Sequence, residues 1–146
     1  MIKSESEFKA AQTQLKQNDE FIAAQRASFE EAGFTPEEVE RGLEPLLSFR
    51  VGLSEEIDWY QSVRRRDFPP LLRLSDLGRL LIALRIANNV SQRELANRLQ
   101  VSEAQVSRDE RNEYRGITIE RAQRVLDALH ERIVTRVQEP QELLVA

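Results

Sequence analysis

The 146-residue chain has no cysteine, so neither a disulfide framework nor a thiolate metal site is possible, and nothing argues for an oxidising compartment. Its single histidine, His130, has no second ligand candidate beside it, so no metal centre is expected. With no Gly-rich phosphate loop either, only carboxylates and hydroxyls remain for chemistry, and neither catalysis nor a cofactor is expected. No apolar run approaches the roughly 18 residues of a membrane span. The opening MIKSESEF lacks the basic-then-apolar order of a signal peptide, which leads us to expect a cytoplasmic protein. Strand signals are missing as well: no segment alternates apolar and polar residues for long, and Asn-Gly and Asp-Gly turns are absent. What remains is an all-α chain.

Charge divides the chain. Residues 1–60 carry 6 Lys+Arg against 13 Asp+Glu, a net −7, whereas residues 61–146 carry 15 against 12, a net +3. Every basic residue from Arg26 onward is arginine, the residue that makes planar, forked contacts to phosphate and carboxylate.

Ser4 followed by Glu7 reads as a capping box, and Phe8, Leu15, Ile22 and Phe29 then recur every seven residues until Gly33, predicting a helix over about 5–32. The alternate places Ala11, Asn18, Gln25 and Ala32 are too polar for a coiled coil, so the stripe packs on another helix of this chain or on a partner. Thr35, Pro36 and Glu38 start a second helix with Val39, Leu43, Leu46, Phe49 or Arg50, Leu53, Ile57 and Tyr60 inward. Pro45 should divide it into pieces over about 36–49 and 54–66, because proline lacks an N–H and clashes with the preceding turn. The run RRRDFPP, residues 64–70, marks an extended connection whose arginines are a solvated linker or auxiliary phosphate contacts. The resulting division is an acidic helical region for dimerisation or partner binding at 1–68, a second domain at 69–138 and a tail at 139–146.

Beyond the prolines, Ser75 can cap a helix carrying Leu77, Leu80, Leu81, Leu84, Ile86 and Ala87, ending at Asn88-Asn89. Ser91 caps the next, with Leu95, Ala96 and Leu99 inward, and Ser102 a third, with Val106 inward. Thr118 caps a fourth with Ile119, Ala122, Val125, Leu126 and Leu129 on one stripe, fraying past Arg136. Two helices of about 8 residues are each marginal alone. Joined tightly within SQRELANRLQVSEAQVSRDE, they describe a helix-turn-helix, in which Ala96 must stay small for the pair to approach. Such a unit either holds its second helix out to enter a major groove or packs as a protein-binding pair.

Residues 74–130 resemble the phage-repressor (Xre) class of helix-turn-helix DNA-binding proteins, keeping an arginine seven residues before Gln92 and a glutamate eighteen after it. The resemblance implies a four- to five-helix domain in which Arg85 and Glu110 form a structural salt bridge. It implies that Gln92, followed by Arg93, meets the DNA backbone at a helix N-terminus. It also implies that Ser102, Glu103, Ala104, Gln105, Ser107 and Arg108 lie at or beside base-facing places, and that Arg111, Asn112, Tyr114 and Arg115 follow the phosphates. Arg108 suits a bidentate contact to guanine, Glu103 cytosine N4, and Ala104 a thymine methyl.

The sequence departs from the family at Gln100, where glycine is preferred, and at Asp109, where an apolar residue is preferred. Residues 91–115 balance 5 arginines against 5 acids, so one copy should bind double-stranded DNA weakly and a homodimer on two half-sites is expected. The layout, an acidic helical segment ahead of the helix-turn-helix, resembles HigA-type antitoxins, which repress their own operon and occlude a toxin. Glu30, Glu31, Glu37, Glu38, Glu40 and Glu44 would suit a basic toxin partner. The alternatives are a free-standing phage-like regulator and an interaction module that does not touch DNA.

Overall fold

A computed structural model describes residues 1–140, so all but the first two residues of the tail at 139–146 lie outside the described residues. Among these, regular structure is helical throughout: α1 (Glu5–Glu31), α2 (Pro36–Arg64), α3 (Leu77–Ala87), α4 (Gln92–Leu99), α5 (Glu103–Arg111) and α6 (Ile119–Ala128). None of these helices is long and apolar enough to cross a membrane.

Helices α1 and α2 form an antiparallel hairpin. Ser4 caps α1 by accepting from the Glu7 amide at 3.2 Å, while the Glu7 carboxylate reaches the Lys3 amide at 2.7 Å. The stripe faces α2, with Ala11, Asn18 and Ile22 buried. Asn18 keeps its amide satisfied by donating to the Leu46 carbonyl at 3.3 Å, as a buried polar group requires. Near the root of the hairpin, the Phe8 and Tyr60 rings stack with centroids 4.8 Å apart.

The expected break at Pro45 does not occur: α2 runs unbroken from 36 to 64. Pro45 lies on the exposed side, as does Arg41, whose carbonyl the proline leaves without an amide. That carbonyl can bond water instead. The inner side of α2 is buried on both sides of the proline, at Val39 and Leu43 before it and Ile57, Tyr60 and Val63 after it, where α1 and the main core cover it. Of the pair Phe49 and Arg50, it is Arg50 that turns toward α1, pairing with Asp19 at 2.6 Å, while Phe49 is exposed.

Two further expectations are corrected. Ser75 does not cap α3; it sits inside a short 3-10 turn, Leu74–Asp76, and Asp76 takes the cap position without a side-chain bond. The last helix stops at Ala128 rather than continuing toward Arg136. His130 adopts a left-handed φ of 57°, and the amides of His130 and Glu131 bond back to the carbonyls of Asp127 and Leu126. That closing motif ends a helix whatever follows.

One hydrophobic cluster joins the hairpin root to the C-terminal helices: Ile2, Ala11, Ile57, Tyr60 and Val63 pack with Leu81, Ile82, Leu95, Val106, Val125 and Leu126. A separate, smaller one, Ile22, Val39 and Leu43 with Phe29, Leu46 and Leu47, holds the far end of the hairpin. Arg64 and Arg66 are tied to the body rather than loose in a linker. Arg64 donates to the Ile86 carbonyl at 3.2 Å, and Arg66 to the Glu131 carboxylate at 2.7 Å.

Candidate nucleic-acid interface

Ser91 caps α4 through the Glu94 amide at 3.0 Å, and Ser102 caps α5 through the Gln105 amide at 3.1 Å. Between them the chain turns through Gln100 at φ 57° and ψ 41°. A side chain in that left-handed position is strained, as the departure from glycine predicts. Leu95 and Ala96 of α4 and Val106 and Glu110 of α5 are buried where the two helices meet.

Beneath this pair lies a buried ion pair. The Arg85 guanidinium, on α3, forks onto Glu110: Nε meets Oε1, and Nη2 meets Oε2 at 2.9 Å. Arg85 also donates to the Val90 carbonyl at 2.8 Å and the Lys3 carbonyl at 3.4 Å. Each nitrogen of this fork meets an acceptor. A desolvated charge pair is weak evidence of net stability, but removing one partner strands the other in the interior. The pair connects α3 to the end of α5.

Gln92 opens α4 and is half buried, because its Nε2 donates to Glu110 Oε2 at 2.7 Å. An amide nitrogen carries two hydrogens. One therefore remains for a phosphate oxygen, beside the free backbone amides of the helix N-terminus. Arg93 is exposed next to it.

On α5, Ser102, Glu103, Ala104 and Arg108 are exposed, with Gln105 and Ser107 half buried at the margins. Val106 and Glu110, inward at i and i+4, leave Ala104 and Arg108 on the outer side of the helix, while Ser102 and Glu103 are exposed at its N-terminus. Arg111, Asn112 and Arg115 continue it, exposed, past the end of α5.

Tyr114 leaves the set. It is 6 % exposed and packs in the main core. Burial pushes its phenol far above the ordinary tyrosine range, with the charges of Glu110 and Asp109 adding to the shift. The reason is backbone geometry: Glu113 and Tyr114 both take left-handed φ, 52° and 51°, which turns the ring inward. The loop lies so close to α3 that a Cβ on Gly78 would meet the Glu113 carbonyl oxygen at 1.8 Å. Gly78 is the positioning residue that sequence reasoning missed; a glycine inside an apolar helical run was its only signal.

Asp109, at a place where the family prefers an apolar residue, accepts from Arg121 of α6 and from the Gln105 amide at 2.9 Å. Gln105 in turn accepts from Arg108 Nη2 at 3.1 Å through its carbonyl oxygen. A relay thus runs from α6 through Asp109 and Gln105 to the guanidinium on the exposed side, and Arg121 joins the residues that shape this face.

Residues 81–134 match a protein-family model described as helix-turn-helix. No curated protein and no solved structure gives a match to the chain. Among the described residues, the match and the observed geometry agree on helical structure throughout, with a helix-turn-helix domain in the C-terminal part. They support a DNA-binding regulator of transcription.

Proposed function

We propose that the protein is a sequence-specific repressor of antitoxin type that binds operator DNA as a homodimer and carries a partner-binding surface on its N-terminal hairpin. The observation that carries the DNA reading is the exposed side of α5, where Ala104 and Arg108 lie opposite the buried Val106 and Glu110 and Glu103 is exposed at the first turn, with the Arg108 guanidinium steadied by Gln105. A helix held this way fits the major groove, and Arg108 can bond guanine O6 and N7 together. Gln92, Arg93, Arg111, Asn112 and Arg115 flank it as phosphate contacts, which set register without reading sequence.

The antitoxin part rests on the hairpin. Glu30, Glu31, Glu37, Glu38, Glu40 and Glu44 are all exposed toward its far end with Phe34, and Phe21 and Phe49 are exposed further along the hairpin. Only Glu40 among these acids has a basic partner, Arg26. An acidic surface with apolar anchors suits a basic protein such as an RNA-cleaving toxin.

A mobility-shift titration against the DNA upstream of the protein's own gene tests the reading. Arg108→Ala should cost about 1–3 kcal/mol and relax preference at one base pair, and Gln92→Ala should weaken binding to all sequences alike. Equal binding by wild type and both variants would leave the protein-interaction reading in its place.

A further inference from the structure

Residues 132–139 follow the closing turn of α6 without joining a helix. Among the described residues, their backbone groups make no hydrogen bond to another part of the chain, and none of them has a positive φ. The stretch RIVTRVQ, 132–138, is rich in β-branched residues, at Ile133, Val134, Thr135 and Val137. Such residues fit a pleated strand better than a coil. Val134 is 91 % exposed and Val137 99 %. An unpaired, β-rich segment of this kind is a template for another strand.

We propose that residues 132–138 pair antiparallel with the same residues of a second copy, with Thr135 on the two-fold axis. Symmetry limits the choice of register. A two-fold axis perpendicular to a two-stranded ribbon leaves one residue opposite itself, and side chains that face each other must lie on the same side of the ribbon. With Thr135 on the axis, Ile133 meets Val137 twice, so one side of the ribbon is β-branched from end to end. Arg132 then meets Gln138, and Val134 meets Arg136. With Val134 on the axis, Arg132 would face Arg136, and with Arg136 on the axis, two arginines would face each other. Like charges directly opposite are destabilising, so both neighbouring registers are disfavoured.

The segment also starts from a fixed point. Glu131 accepts from Arg66 at 2.7 Å and from Asn88 at 2.6 Å, and its amide bonds to the Leu126 carbonyl at 2.9 Å. Burial opposes ionisation of this carboxyl, but the bonds from Asn88 and Arg66 outweigh it and hold the group below its ordinary range. A strand rooted there orients the rest of each copy relative to the axis. The ribbon is small, and two strands alone are marginal in water, so the dimer belongs to the weak end of specific interfaces. It would tighten on an operator, where both copies are held at high effective concentration.

The proposal rests on the two-copy reading of the function, yet its test needs no DNA. Because the chain has no cysteine, Thr135→Cys introduces a lone thiol. In the full-length protein at high micromolar concentration, mild oxidation should link this variant into a dimer at least tenfold faster than Val134→Cys. The thiols of Val134→Cys would be diagonal neighbours about 7–8 Å apart, at or beyond disulfide reach. Val137→Asp, at a position where the single copy buries nothing, should be monomeric by sedimentation with an unchanged helical circular dichroism spectrum. Equal linking of the two cysteine variants, or a Val137→Asp protein as dimeric as wild type, overturns the ribbon. A linked Thr135→Cys dimer that shifts no DNA supports the ribbon and sinks the operator reading alone.

Discussion

Each of α1 to α6 is closed by a residue of positive φ: Gly33, Arg66, Asn89, Gln100, Glu113 and His130, of which one is glycine. In every case the amide one residue further on reaches back five residues, at 2.7–3.1 Å. The five non-glycine residues hold a conformation that costs L-amino acids about 1–2 kcal/mol. Gln100→Gly should therefore raise stability by about 0.5–1 kcal/mol after allowing for the freer unfolded chain. A thermal melt checks this, and a lower midpoint would show that the Gln100 side chain contributes something its geometry does not reveal. Gly78 is the opposite case. Gly78→Ala should destabilise by about 3 kcal/mol or more, because its methyl group would meet backbone, which cannot swing aside as a side chain can. A denaturation midpoint within error of wild type would mean that the loop at Glu113 yields easily.

At the level of elements, helix starts were far more legible than helix ends. Ser4, Thr35, Ser91, Ser102 and Thr118 all cap the helices they were expected to cap, since a hydroxyl three residues ahead of an amide is a local signal. Gly33 and Asn89 announced the ends of α1 and α3, but the ends of α2, α4, α5 and α6 rest on Arg, Gln, Glu and His in left-handed turns, which carry no such signal. Hence α6 was expected to run on, and Ile119, 83 % exposed at its first turn, was placed inward. The exposed side of α5 was legible because Val106 and Glu110 mark its back; the inward swing of Tyr114 was not, because two consecutive positive-φ residues leave no periodicity to read. Pro45 misled for a different reason: its local cost is real, but tertiary contacts on both sides of it override that cost. Pro45→Ala should restore an amide to the Arg41 carbonyl and stabilise the protein by about 1–3 kcal/mol. An unchanged urea midpoint would show that α2 has already absorbed the proline elsewhere in its curvature.

Across the whole molecule, the main core binds the hairpin root and the C-terminal helices into one unit, so these should exchange their amide hydrogens together at the global unfolding free energy. The far end of the hairpin, held by Ile22, Val39 and Leu43, should exchange faster and with its own, lower opening energy. Uniform protection along α1 and α2 in native-state hydrogen exchange would refute that division. This distribution of buried contacts also decides where the chain is vulnerable. A protease meeting the folded protein would find its first foothold at the Gly33 bend and the turns beside it. A single nick there would leave both halves of the hairpin rooted in the main core, so the far end would loosen while the helix-turn-helix stays folded.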